Sequence, residues 1–176
     1  RMCHHLLYSL LYVALFAGRS AARGTGLSTA MTTIYIVRHA EKLSSDRDTP
    51  LSPVGEARAL ALADRLAMAE VQQVYATDLQ RTQQTVGPLA ERMGLAVHVL
   101  PAMALDSLVQ RVRSVDQGMV VLVAGHNHTV PELVQRLSGV AVDGIPEHVF
   151  DRLYRVVLPA DGKPEVVVLQ YGEPTP

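Results

Sequence analysis

Cysteine is almost absent from this chain. Cys3 is the only one, so no disulfide can form within one chain and no thiolate metal cluster can be assembled. Charge of one sign is lacking too. Sixteen Lys and Arg stand against seventeen Asp and Glu, for a net charge of -1 at pH 7. No basic stripe stands out, which argues against a nucleic-acid partner. No apolar run reaches the roughly 20 residues of a bilayer-spanning helix. No repeat, low-complexity tract or internal linker is visible. What is there is 176 residues, 48% of them hydrophobic, which suits one folded domain around one core. The partner is better sought as a small anion held by a few local cations than as a charged polymer.

Residues 1–30 read differently from the rest. Arg1 and the His4-His5 pair precede an apolar run from Leu6 to Ala17, followed by Arg19, Ser20, Ala21 and Ala22. These are the proportions of a secretory signal peptide, with Ser20 and Ala22 as the small residues three and one positions before the cut. Cleavage after Ala22 would make the protein periplasmic or secreted. No Leu-x-x-Cys lipoprotein site is present. The alternative is an untranslated leader: the chain begins with Arg, and Met31 stands just before the first strand. A start at Met31 would leave the protein in the cytoplasm. In both cases the functional domain is expected at 31–176.

Within that domain, strands and helices alternate. Thr32–Val37 is a β-branched and aromatic run, the composition of a buried strand. A polar loop, Glu41 to Leu51, leads to Ser52-Pro53, an N-cap followed by proline in the first helical position. The helix should continue to about Met68, with Ala59, Leu62 and Leu66 on its inner face. Val71–Ala76 reads as a second strand. Thr77 and Gln80 have capping-box spacing, which predicts a helix from Thr77 to the glycine at 94. Ala96–Leu100 is a third strand, and Asp106 an N-cap for a helix to about Val115. Met119–Ala124 is apolar enough to be buried on both faces. Gly125 turns the chain, and Pro131 opens a helix ending near Ser138-Gly139. Leu153–Leu158 and Glu165–Gln170 flank Asp161-Gly162 as a β-hairpin. The order predicts an α/β domain: a three-layer α/β/α sandwich with a mainly parallel sheet.

Ligands of open parallel sheets gather beyond the carboxyl ends of the strands. Three such ends carry cations or imidazoles: Arg38-His39-Ala40-Glu41-Lys42, Thr77-Asp78-Leu79-Gln80-Arg81, and Gly125-His126-Asn127-His128. If the three strands are neighbours, Arg38, His39, Arg81 and His126 converge. Two guanidiniums offer forked donors that match phosphate oxygens, and a helix start at Thr77 would add positive potential. Positive neighbours favour a neutral imidazole, so the same pocket would hold the anion and keep His39 nucleophilic. Attack on phosphorus would give a phosphohistidine that water then hydrolyses, with the cations stabilising charge on the equatorial oxygens. Taken singly, each residue has a plainer reading: Arg38-His39 a surface turn, Arg81 a solvated helix residue, His126 a satisfied histidine.

Together these segments resemble the histidine phosphatase superfamily. Arg38-His39-Ala40-Glu41 is similar to its Arg-His-Gly/Ala signature, and Leu51–Ala59 to its first helix entry. Ala76–Thr85 resembles its second arginine motif, and Gly125–Pro131 its second histidine motif. The resemblance runs in order from Thr32 to Gly172. It implies a phosphoglycerate mutase-like fold, a nucleophilic His39, phosphate bound by Arg38, Arg81 and His126, and no metal or other cofactor. It also implies a carboxylate that protonates the leaving oxygen. No segment matches that element; Asp106 lies nearest to where it would come, with Glu41 and Asp48 as rivals on the loop beside His39. Asn127-His128 departs from the Ser-Asn expected after the second histidine, which alters the pocket wall at that point.

The expected activity is hydrolysis of a small phosphomonoester, a phosphoprotein being a further candidate. Competing readings are a phosphoglycerate-mutase-like phosphotransferase, a non-catalytic phospho-ligand binder, and a metal hydrolase using His126-x-His128 with His39 and carboxylates. Flanking arginines would repel the cation of that last reading. The segments Lys42–Pro50 and Val142–Arg152 should frame the entrance.

Overall fold

The computed structural model describes residues 31–175; the leader reading of residues 1–30 lies outside them. Six strands form one sheet: β1 (Thr32–Arg38), β2 (Gln73–Thr77), β3 (Val97–Leu100), β4 (Val120–Gly125), β5 (Arg152–Leu158) and β6 (Glu165–Gln170). Their spatial order is β3-β2-β4-β1-β5-β6. The first four strands in that order run parallel, and β5 and β6 complete the sheet as an antiparallel pair. Four helices cover it: α1 (Pro53–Arg65), α2 (Gln80–Met93), α3 (Leu105–Ser114) and α4 (Thr129–Ser138). This is the expected three-layer α/β architecture.

The alternation of side chains along each strand divides the core in two. Val37, Val74, Leu122 and Leu153 face α1 and α2, packing on Leu62, Leu66, Val86 and Leu89. Ile34, Ile36, Val121 and Val123 point to the other face, against Leu108, Val112, Val130, Leu133 and Leu137 of α3 and α4. β4 lies between β1 and β2 and is buried on both sides after its first residue, as its unbroken apolar sequence requires. The inner face of α1 holds Ala59 and Leu62, with Leu66 at its C-cap, all at most 2% exposed.

Several boundaries differ from the sequence reading. α1 stops at Arg65, short of Met68. Helix α2 begins at Gln80, not Thr77: Thr77 is the last residue of β2. The predicted capping box is not made. Asp48, on the loop after β1, takes the backbone N–H of Gln80 through Oδ1 at 2.8 Å. Asp106 is not an N-cap either; Ala104 holds that position without a side-chain bond, and Asp106 sits in the first turn of α3. α4 begins at Thr129, which leaves Pro131 in its first turn, where a missing N–H costs no intrahelical bond. The glycines after α2 and α4, Gly94 and Gly139, adopt left-handed φ values of +66° and +75°, the conformation that closes a helix.

Candidate functional site

The order β2-β4-β1 puts three carboxyl ends side by side. Arg38 is level with Gly125, and Ala76 with Ala124. Residues 38–39, 77 and 126 therefore leave the sheet at one place.

His39 and His126 meet edge-to-face, ring centroids 5.5 Å apart, and each is only 5% exposed. His39 Nδ1 lies 2.8 Å from the carbonyl oxygen of Ala40. A carbonyl only accepts, so Nδ1 carries the hydrogen and Nε2 of the neutral ring carries the lone pair. Burial, reinforced by the charges of Arg38 and Arg81 and by His126, pushes His39 down to about 3, against the pull of the Ala40 carbonyl. His126 is pushed down to about 4, by burial first and then by Arg81. Both rings are thus neutral at pH 7, and Arg81 stands near enough for its charge to act on both.

The two guanidiniums are held from outside the pocket. Arg38 is 6% exposed; its Nη1 donates to the carbonyls of Pro146, Glu147 and Val149 at 2.8–3.0 Å. Its guanidinium carbon lies 4.1 Å from the Phe150 ring centre. Arg81 Nη1 donates to the Arg47 carbonyl at 2.6 Å. In both arginines the Nε is buried without a protein acceptor. A buried charged donor without a partner costs free energy, and an oxyanion in the cradle would supply one. The segments expected to frame the entrance are the ones that supply these carbonyls.

Threonines fix the rest, and the sequence reading missed them. Thr77 Oγ1 bonds both His126 Nε2, at 3.1 Å, and Thr82 Oγ1, at 2.7 Å. Thr85 Oγ1 accepts from the Ala40 N–H at 2.9 Å and donates to the Arg81 carbonyl at 2.6 Å. It ties the backbone beside His39 to the helix that carries Arg81. The signal was the three-residue spacing of Thr82 and Thr85, which puts both on one helix face. Thr129 Oγ1 takes the His126 N–H at 2.9 Å.

The structure does not bring the three candidate acids to the cluster as free carboxyl groups. Asp106 has a 93% exposed side chain bonded to Arg136 on α4. Glu41 is gripped by Arg58, with both carboxylate oxygens 2.9 Å from Nε and a further contact at 2.8 Å to Nη2. Asp48 accepts from the backbone and side chain of Gln80, bonds that hold its carboxyl below the usual range. Among the described residues no three His, Cys, Asp or Glu side chains gather as metal ligands. No helix there is long and apolar enough to cross a membrane.

The family model described as histidine phosphatase superfamily (branch 1) matches residues 34–105. A probable phosphoglycerate mutase GpmB of Enterobacter sp. is 33% identical over 94 residues, covering 49% of this chain and 44% of that protein. The chain spans about half or less of the length of the curated relatives it matches. The protein histidine phosphatase SixA, solved with tungstate, superposes with a TM-score of 0.65 at 21% identity, covering 78% of this chain and 96% of that one. A mycobacterial glucosyl-3-phosphoglycerate phosphatase solved with inorganic phosphate gives a TM-score of 0.61 at 16% identity, over 78% and 96% of the two chains.

Proposed function

The chain belongs to branch 1 of the histidine phosphatase superfamily, and we propose that it hydrolyses a small phosphomonoester through a phosphohistidine on His39, without a metal. The observation that carries this reading is the Nδ1–Ala40 bond. It leaves Nε2 of a neutral imidazole without a partner beside the two guanidiniums.

The steps follow from the residues. Arg38, Arg81 and His126 hold the phosphoryl oxygens. The His39 Nε2 lone pair attacks phosphorus in line as the bond to the leaving oxygen breaks. The Ala40 carbonyl steadies the positive charge that develops on the ring. Water then attacks the phosphohistidine, the N–P bond breaks, and phosphate leaves. Tungstate and phosphate in the two structural neighbours support an oxyanion as the occupant.

The test is turnover of a simple phosphomonoester by the purified protein. Activity should survive EDTA and vanish in His39→Ala. Trapping with a radiolabelled substrate should give an acid-labile, base-stable adduct on His39. Binding of inorganic phosphate without turnover would show a phospho-ligand binder instead; transfer to a second alcohol would show a phosphotransferase. Residues 31–176 are the catalytic domain in this proposal. Residues 1–22 are a signal peptide cleaved after Ala22, which N-terminal sequencing of the exported protein would check; a cytoplasmic product starting at Met31 would refute it.

A further inference from the structure

None of the three candidate acids reaches the cluster as a free carboxyl group, yet an alcohol leaving as alkoxide is slow unless a proton reaches its oxygen. Glu41 and Asp48 are committed to Arg58 and Gln80, and Asp106 is paired with Arg136. Besides the two arginines, the groups whose charge acts on His126 are His128 and Asp78. Both are exposed. Of the two, His128 is the one whose side chain packs against the histidine pair.

His128 is also placed. Its ring is stacked on that of His126, 6.0 Å between centroids and 15° between planes. Its Nδ1 lies 3.2 Å from Asn127 Oδ1. An amide oxygen only accepts, so Nδ1 keeps its hydrogen and Nε2 is the atom that gains and loses a proton. The imidazoles of residues 39, 126 and 128 make a row from the buried nucleophile to the exposed mouth. In-line displacement puts the leaving oxygen on the side of phosphorus away from His39 Nε2, and a leaving group must exit through the mouth. His128 stands where the second histidine motif departs from its expected Ser-Asn.

We propose that His128 is the general acid: its Nε2–H protonates the leaving oxygen, and the same nitrogen then deprotonates the attacking water. In the first step the His39 Nε2 pair forms the N–P bond, the P–O bond breaks, and the proton from His128 converts the departing oxygen to an alcohol. In the second, water loses a proton to His128 Nε2, its oxygen bonds phosphorus, and the N–P electron pair returns to His39. The net change is phosphomonoester plus water to alcohol plus phosphate, with His128 again protonated. This inference rests on the phosphatase reading above.

The experiment compares kcat/KM for 4-nitrophenyl phosphate, whose leaving group needs no proton, and for an alkyl phosphate, whose leaving group does. Wild type, His128→Asn and Asp78→Asn are measured, with thermal unfolding as the check on folding. His128→Asn should lower the alkyl value about 100-fold more than the nitrophenyl value. Added imidazole should restore part of the alkyl turnover. Equal losses on both substrates, no loss on either, or a leaving-group effect confined to Asp78→Asn would overturn the assignment while leaving the nucleophile standing. A wild type inactive on every phosphomonoester would remove the phosphatase reading, and this inference with it.

Discussion

A buried histidine that refuses a proton makes stability depend on pH. Folded His39 protonates only near pH 3 and His126 near pH 4, whereas free imidazole does so near 6.5. Between those values the unfolded chain binds more protons than the native one. Stability therefore falls as pH drops from about 6.5 towards 4, and neither ring contributes a slope above about pH 7. At pH 5 each ring should cost on the order of 1 to 2 kcal/mol. Urea denaturation at pH 7 and pH 5 measures this. His126→Gln, with nothing to protonate, should show a smaller drop than wild type; an equal drop would mean that His126 takes up its proton in the folded state. Bound inorganic phosphate, which stabilises the native state, should raise the urea midpoint of wild type at pH 7, and much less in Arg81→Ala.

Elements are positioned by contacts as specific as those within the site. The first turn of α1 lies directly on the loop backbone at Glu41. A Cβ on Gly55 would sit 2.2 Å from the Glu41 carbonyl oxygen, which also accepts the Ser52 N–H at 2.9 Å. Backbone cannot step aside as a flexible side chain can. Gly55→Ala should therefore destabilise by about 3 kcal/mol, despite alanine's better helix propensity. A lowered urea midpoint at unchanged slope would register this; a stabilised variant would show that α1 can lift off the loop. The local part of this architecture was legible in the sequence. Signals coded within a few residues read correctly: the apolar runs of β1 and β4, Ser52-Pro53 before α1, Gly94 after α2. The start of α2 did not. Thr77 and Gln80 have the spacing of a capping box, but the cap comes from Asp48, 32 positions away. The strand ends carrying Arg38, His39 and His126 could be named in advance because parallel α/β sheets put ligands there. The partners of Glu41 and Asp106 could not, because those bonds depend on which helices pack together.

At the scale of the whole molecule, the last described residues are tied back to the pocket. Asp151, 3% exposed, accepts from Thr175 Oγ1 at 2.9 Å, from Thr175 N at 3.3 Å and from Gln170 Nε2 at 3.2 Å. Thr175 Oγ1 also takes the Phe150 N–H at 3.3 Å. Arg58, while holding Glu41, donates to the carbonyls of Tyr171 and Glu173 at 3.1 and 2.8 Å. One bonded path thus runs from the tail through Asp151 to Phe150, whose ring covers Arg38 and lies 6.1 Å from that of His39. Removing the chain from Glu173 onward would leave a buried carboxylate with one weak donor and deprive Arg58 of an acceptor. The cost should be about 3 kcal/mol. Because the loosened segment also carries the three carbonyls that hold Arg38, the truncated protein should bind inorganic phosphate several-fold more weakly, even well below its unfolding temperature. Thr175→Val, which removes the hydroxyl but keeps the chain, separates the two effects. It should lose about 1 kcal/mol of stability and little phosphate affinity, since the backbone still closes over Asp151. Calorimetric titration of the truncated and substituted proteins with phosphate would decide this, and unchanged affinity in the truncation would mean that Phe150 and Arg38 hold each other without help from the tail.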